Sequence, residues 1–298
     1  MSEKKCSWDL LVSTGTGVLR FEAGTGTFRG VFASGGGLKL PTGLRFGSDG
    51  DLYVGNVGPD NVLRFDGKSG AFVKVAASHK DLKHPRQVAF NRGMLLVSSR
   101  GASKVLSFDL KTGAFNERFS KPHLSYTAAG INDDGLNQPF GLIYDPGGNL
   151  LVASYGTDSV RRYDGRTGVF IDTFACGHHL VQPRNIVYGP DGNLYVTSGN
   201  HRVLRFDGKT GSFIDTFVAP SSGGLNDPYG LEFGDDGNLY VISGGTNSVL
   251  RYDGLTGSFH STFVPSANGG LSSSVSYAAF IGGLGGAYNP KAWRAVLE

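Results

Sequence analysis

The chain has 298 residues, and its 28 lysines and arginines against 25 aspartates and glutamates give a formal net charge of +3. This slight excess does not favour nucleic-acid binding, which usually requires a clustered basic face, and no stretch approaches the ~20 apolar residues of a membrane span. Two cysteines give no disulfide framework, and no apolar run of signal-peptide length opens the chain, so a soluble, cytoplasmic protein is expected.

A repeat of about 45 residues organises most of the chain. Each copy reads P-x-G-L-x-F-G-x-D-G-x-L-Y-V, then a short polar loop, then V-L-R-F-D-G-x-T-G-x-F. The copies begin at Pro41, Pro85, Pro139, Pro183 and Pro228. Runs of β-branched and aromatic residues, split by Asp-Gly and glycine-rich turns, indicate four short strands per copy. Four strands at this period are typical of a β-propeller blade.

A sixth copy is divided between the two ends of the chain. The N-terminal segment WDLLVSTGTGVLRFEAGTGTFRGVF supplies three strands but lacks the first, and SYAAFIGG (276–283) aligns with a lone first strand. We therefore predict an all-β, single-domain, six-bladed propeller over residues 1–298, closed by a C-terminal innermost strand that joins the N-terminal blade. Asn289 and Pro290 predict a short helix over about 289–297, on the tight-turn face.

The acidic turns and the recurring arginines of the repeat are interpreted as scaffold. Turns such as PDGN and DGKTG recur in the blades, and their Asp, Asn and Gly residues suit tight β-turns. A calcium site would require carboxylates that converge from several loops.

The residue after each blade's proline departs from the repeat. In chain order these residues are Thr42, Arg86, Phe140, Arg184 and Tyr229, with Tyr277 in the closing strand. Gln87 and Asn185 follow the two arginines where the other blades have glycine or alanine. All lie at the mouth of the innermost strands. They favour either a pocket for an anionic or carbonyl-bearing ligand or, as the alternative, ion pairs and stacking with neighbouring side chains.

Histidines and an irregular loop lie on the same side of the predicted propeller. Six of the seven histidines fall on its loops or at their edges, namely His79, His84, His123, His178, His179 and His201. The longest of these loops, residues 120–136, adds His123 and Tyr126 as candidates. Cys176, His178 and His179 are possible metal ligands, but adjacent histidines in an extended segment point apart. No cofactor is therefore expected, with a divalent metal as the alternative.

The repeated segments resemble those of the NHL-repeat and streptogramin-lyase-like six-bladed propellers, over nearly the whole chain. The resemblance implies this fold and, for the lyases, a pocket on the loop-rich face with a histidine acid/base and a magnesium-bound glutamate. No residue of this chain matches those two positions. Glu232 is the one glutamate on an innermost strand, but it lies below the mouth, where we expect it to pair with Arg45 across the channel.

The sequence thus predicts a small-molecule enzyme of lyase, isomerase or cyclase type, with its pocket at the channel mouth. Arg86 and Arg184 would hold a carboxylate, enolate or carbonyl oxygen, and Tyr229, Tyr277 or His84 would move a proton. The predicted ligand-binding residues are Thr42, Gln87, Phe140, Asn185, Tyr126, His123, Tyr155 and His201. The alternative is a non-catalytic module that binds a protein, peptide or glycan on the same face.

Overall fold

The structure is a computed structural model that describes residues 9–116, 135–271 and 276–280. In this part of the chain, 24 strands form six four-stranded antiparallel sheets, which confirms the predicted six-bladed propeller. The expected C-terminal helix and the candidates His123 and Tyr126 lie outside the described residues. None of the helical segments in the described ranges is long and apolar enough to cross a membrane.

The blades are given from the innermost to the outermost strand. The first contains β24 (Ala278–Phe280), β1 (Asp9–Ser13), β2 (Val18–Glu22) and β3 (Phe28–Ala33). The second contains β4 (Pro41–Phe46), β5 (Leu52–Asn56), β6 (Asn61–Phe65) and β7 (Phe72–Ser78). The third contains β8 (Pro85–Asn91), β9 (Met94–Ser99), β10 (Lys104–Asp109) and β11 (Phe115–Asn116). The fourth contains β12 (Pro139–Tyr144), β13 (Leu150–Ser154), β14 (Ser159–Tyr163) and β15 (Phe170–Cys176). The fifth contains β16 (Ile186–Tyr188), β17 (Leu194–Ser198), β18 (Arg202–Phe206) and β19 (Phe213–Val218). The sixth contains β20 (Pro228–Phe233), β21 (Leu239–Ser243), β22 (Ser248–Tyr252) and β23 (Phe259–Val264). Short 3-10 turns occupy Arg100–Ala102, Tyr155–Thr157, Ser222–Gly224 and Asn268–Gly270.

The ring closes as the divided repeat predicts. Strand β24 pairs antiparallel with β1, with Phe280 opposite Leu10 and Ala278 opposite Val12. The first strands of neighbouring blades contact one another around the complete ring. Strand β24, the last in the chain, therefore completes the first blade, and closure covers the inner sheet edges that an open array would expose.

Apolar side chains on the faces of the blades pack against the neighbouring blades. Strands such as LLVAS (β13) and LYVIS (β21) are buried along their whole length, because each lies in the middle of its blade with another blade on either side.

The acidic turns have partners within the turn: the Asp207 carboxylate accepts hydrogen bonds from the backbone N–H (2.7 Å) and hydroxyl (2.9 Å) of Thr210. The acidic residue therefore stabilises its own turn, as expected for a scaffold residue.

Each proline that begins an innermost strand is held by the same local geometry. The residue before it has positive φ in all five full copies, namely Leu40, His84, Gln138, Gln182 and Asp227. A serine at the end of the second strand secures this loop: Ser243 Oγ, for example, donates to the Asn226 carbonyl oxygen at 3.0 Å. The backbone at the mouth is therefore fixed by the repeat, whereas the side chain after the proline can vary.

Candidate functional site

Arg86 places a positive charge at the mouth of the channel. Its guanidinium lies 4.8 Å from the centre of the Phe140 ring, and its Nε is buried without a hydrogen-bond partner. Among the described residues, the Arg86 side chain forms no ion pair. Burial lowers the pKa of Arg86, as do the nearby charges of Arg100 and Arg184, while Tyr277 raises it. Since an arginine side chain remains protonated in proteins, Arg86 is a partly buried cation to which the described residues supply no counterion.

Arg184 has the same sequence position in the fifth blade but is paired. Its Nη1 donates to Asp227 Oδ1 at 2.5 Å and to the Pro228 carbonyl oxygen at 3.2 Å. Its guanidinium lies 4.2 Å from the centre of the Tyr229 ring. Burial lowers the pKa of Arg184, but the neighbouring Tyr229 and Asp227 together raise it above its ordinary value. The alternative of an ion pair and stacking therefore describes Arg184 better than it describes Arg86.

A third arginine, Arg100, belongs to the same cluster, and the sequence analysis did not identify it. Its Nε and Nη2 donate to Gln138 Oε1 at 3.2 and 2.9 Å. It lies 5.2 Å from the Phe140 ring centre and 5.6 Å from that of Tyr155. The repeat does contain a sequence indication of Arg100, because the residue after each second strand also varies between the copies. In chain order these residues are Thr14, Val57, Arg100, Tyr155, Gly199 and Gly244.

Phe140 and Tyr155 form the aromatic centre of this cluster. Their rings stack with centres 5.0 Å apart and planes inclined by 23°. Arg86 and Arg100 lie against Phe140. Of these two stacked rings, Arg184 contacts only that of Tyr155, at 5.8 Å from the ring centre. Because Phe140 is only 2% exposed, its ring supports the arginines rather than offering a free apolar surface.

Tyr277 places a second polar group next to Arg86. Its side chain is fully buried, and its hydroxyl has no hydrogen-bond partner within the described ranges. Burial raises the pKa of Tyr277 above its ordinary value, although Arg86 lowers it. The phenol is therefore protonated at neutral pH and can donate a hydrogen bond, but it cannot act as a base there. Its predicted role in proton transfer stays a prediction.

A cavity of about 290 Å³ opens at the mouth, and Thr42, Arg86, Asp227, Tyr229 and Ser276 form its polar lining. The Thr42 hydroxyl already donates to the Pro85 carbonyl oxygen at 2.7 Å, and Tyr229 is covered on one face by Arg184. Arg86 and Asp227 thus supply the charged groups of the cavity wall. Asp227 was not among the residues singled out in the sequence.

Gln87 and Asn185 are buried and bonded to backbone. Gln87 Oε1 accepts a hydrogen bond from the N–H of Val88 at 3.0 Å. Asn185 Oδ1 accepts a hydrogen bond from the N–H of Ile186, also at 3.0 Å, and Asn185 Nδ2 donates to the Leu231 carbonyl oxygen at 3.4 Å. A Cβ on Gly43 would lie 2.4 Å from Gln87 Oε1, which explains the glycine in the neighbouring blade. The ligand-binding role of Gln87 and Asn185 stays a prediction.

The histidines are placed mainly by loop packing. His84 is exposed with positive φ, and its backbone N–H donates to Asp60 Oδ1 at 2.7 Å. His178 and His179 occupy a turn rather than the extended segment expected, and the His178 ring stacks on Phe213 at 4.5 Å. Cys176, the other metal candidate, is exposed. Within the described ranges, no three His, Cys, Asp or Glu side chains form a group that could hold a metal ion.

Below the mouth, Arg45 is buried at 8% exposure. Burial lowers the pKa of Arg45, and the charge of Glu232 partly offsets this effect. The ion pair expected between Arg45 and Glu232 stays a prediction.

Comparisons with known proteins identify the fold and not the activity. The chain matches no protein-family model and no curated protein sequence. It is similar to a chain of a nidogen/laminin complex at 17% identity and a TM-score of 0.73, over 92% of this chain and 98% of that one. A streptogramin B lyase matches at 19% identity and a TM-score of 0.56, over 87% of this chain and 76% of that one.

A third structure is a catalytically inactive virginiamycin B lyase from Staphylococcus aureus with quinupristin. It matches at 15% identity and a TM-score of 0.53, over 82% of this chain and 71% of that one. The chain therefore has the six-bladed propeller fold found in streptogramin B lyases and in nidogen. One of these proteins is an enzyme and the other takes part in a protein complex, so the fold is compatible with both classes of function.

Proposed function

We propose that the channel mouth binds a small organic anion and acts on it as a lyase, isomerase or cyclase. The observation that carries the proposal is the Arg86 guanidinium, which is partly buried, lines the cavity and has no counterion among the residues that the structure describes. A buried charge without a partner costs stability. A ligand carboxylate, enolate or carbonyl oxygen would supply the missing partner through charge-assisted hydrogen bonds.

The neighbouring groups favour chemistry in which negative charge develops on the bound oxygen. Arg86 lines the cavity and is held by packing against Phe140 before a ligand binds. Donors fixed in this way stabilise an enolate-like transition state more than a neutral ground state. Lyase and isomerase reactions that form a carbanion next to a carboxylate or carbonyl pass through such states, and a streptogramin B lyase is among the structures with a similar fold.

A non-catalytic interaction module is the second candidate. The likeness to a chain of a nidogen/laminin complex favours it, because the same pocket would receive an acidic side chain of a protein or peptide partner. Binding without conversion of any bound acid would support this candidate over the enzyme.

The binding test compares two arginine variants by thermal shift and calorimetry against a set of small carboxylic acids. Arg251 is the matched control, because its Nε is also buried without a partner and its guanidinium also lies near a phenylalanine, 5.6 Å from Phe263, but on an outer strand. Acids should stabilise the wild type and Arg251→Ala in proportion to ligand occupancy. Arg86→Ala should lose at least about tenfold in affinity. Equal affinity in Arg86→Ala, or no binding of any acid, would overturn the proposal.

Turnover is measured separately on the acids that bind. Proton NMR of each acid with enzyme in heavy water reports isomerisation, elimination and exchange of carbon-bound hydrogen. We expect at least one bound acid to react with wild-type protein and with Arg251→Ala, and not with Arg86→Ala.

A further inference from the structure

The two charged groups of the mouth cavity lie on different blades of the ring. Arg86 belongs to the third blade and Asp227 precedes the first strand of the sixth, which are opposite positions in a ring of six. Both line the same cavity of about 290 Å³, yet in the described part of the chain they do not form an ion pair with each other. The cavity therefore has a cationic wall facing an anionic one.

The anionic wall has one free acceptor. Asp227 Oδ1 accepts the hydrogen bond from Arg184, while Oδ2 has no hydrogen-bond partner among the described residues. The backbone N–H of Asp227 donates to His201 Nδ1 at 2.9 Å, which fixes the residue from behind. The side chain of Asp227 is 37% exposed, and Asp227 lines the cavity.

The charges at the mouth define the ligand that fits best. Arg100 does not line the cavity, and Arg184 offsets the charge of Asp227, so Arg86 leaves one uncompensated positive charge among the described residues of the cavity wall. A ligand with a single negative charge offsets it. The ligand group that faces Asp227 Oδ2 must donate a hydrogen bond, since an acceptor there would leave Oδ2 unpaired, and it must be uncharged to preserve the balance.

We infer that the ligand is a monocarboxylic acid that carries a hydroxyl group, with the carboxylate on Arg86 and the hydroxyl donating to Asp227 Oδ2. This inference rests on the proposed function and specifies its substrate class. A dicarboxylate would place a second negative charge against Asp227. The ammonium group of an amino acid would face Asp227, whose charge Arg184 already offsets, and a zwitterion brings no net negative charge to offset Arg86.

Matched acids test the inference. Butyrate, its hydroxy derivatives at each carbon, 4-aminobutyrate and succinate are titrated into wild-type protein by ligand-detected NMR and calorimetry. At least one hydroxybutyrate should bind about tenfold tighter than butyrate, because a hydrogen bond to a charged acceptor is among the stronger ones. It should also bind more tightly than the amino acid and succinate.

Asp227→Asn is the decisive variant. Asparagine tolerates the positive φ of this position, 52° in Asp227, and its amide oxygen can still accept from Arg184. Its NH2 group would replace the free acceptor with a donor. The affinity ratio of hydroxybutyrate to succinate should therefore fall at least about fivefold.

The outcomes separate this inference from the proposed function. If butyrate binds in an Arg86-dependent way but no hydroxyl improves binding, or if Asp227→Asn leaves the ratio unchanged, the hydroxy-acid inference is wrong and the anion site stands. Tightest binding of succinate or of 4-aminobutyrate also overturns the inference alone. If none of these acids binds, both are overturned.

Discussion

Arg86 and Arg184 occupy the same position of the repeat, but their removal should affect stability very differently. Arg184→Ala removes a charge-assisted hydrogen bond to Asp227, a bond to the Pro228 carbonyl and a ring contact at 4.2 Å. A charged hydrogen bond contributes about 1.5–3 kcal/mol, and a cation–π contact about 0.5–1 kcal/mol. We expect the free energy of unfolding to fall by about 2–4 kcal/mol.

Arg86→Ala removes one ring contact at 4.8 Å and also removes a buried cation that repels Arg100 and Arg184. The lost contact, about 0.5–1 kcal/mol, and the relieved desolvation act in opposite directions. The free energy of unfolding should therefore change by less than about 1 kcal/mol. At roughly 2–4 °C per kcal/mol for a large domain, the melting temperature should move by under about 4 °C.

The assay is urea unfolding followed by tyrosine fluorescence, with calorimetric melting of the same three proteins. Arg184→Lys is the control, because it keeps the charge beside Asp227 and loses the forked geometry, so its stability should lie between those of the wild type and Arg184→Ala. A loss in Arg86→Ala as large as that in Arg184→Ala would refute the reasoning, since Arg86 would then be held by interactions that stabilise the fold.

Three further predictions concern the scaffold. Burial raises the pKa of Tyr277 and of five other tyrosines, namely Tyr53, Tyr144, Tyr195, Tyr240 and Tyr252. Their contribution to stability is therefore complete below the unfolded value of about 10 and is lost as pH rises beyond it. The 295 nm absorbance of these phenolates should appear together with loss of circular dichroism, and ionisation near pH 10 in the folded protein would contradict this. Turn hydrogen bonds lower the pKa of Asp207, so stability should be lost as pH falls below about 4. The melting temperature of Asp207→Asn should therefore depend less steeply on pH in that range. An unchanged slope would show that the turn does not contribute to the pH dependence. In Gly230→Ala the new Cβ would lie 2.9 Å from the Cα of Tyr277. Hydrogen exchange at 276–280 should therefore accelerate, and the free energy of unfolding should fall by about 1–3 kcal/mol. The control Gly24→Ala, with no atom within 4 Å of its Cβ, should match the wild type.

The repeat predicts the scaffold well because each copy must satisfy the same packing. Six blades, closure by β24 and the location of Arg86 at the mouth all follow from aligning the copies with one another. The structural role of the acidic turns follows for the same reason, since Asp207 and its equivalents bond within their own turns.

The composition of the site could not be obtained in this way, because it depends on contacts between blades. Asp227 is 43 residues from Arg184 and precedes the proline of the next blade, a position where the copies carry unrelated residues. Arg100 lies in a variable loop, and only the three-dimensional arrangement brings it to the Phe140 ring. The burial of Phe140 likewise results from two arginines that belong to another blade.

The central claim, that the unpaired guanidinium of Arg86 anchors an anion, is tested most directly by NMR of arginine side-chain Nε–H groups. The Nε atoms of Arg161, Arg202 and Arg251 are also buried without partners but lie on outer strands, so they serve as internal controls. On titration with the tightest-binding acid, the Arg86 signal, assigned by its loss in Arg86→Ala, should shift saturably while the three control signals remain in place. An Arg86 signal that stays fixed while the acid binds, or four signals that shift alike, would contradict the claim.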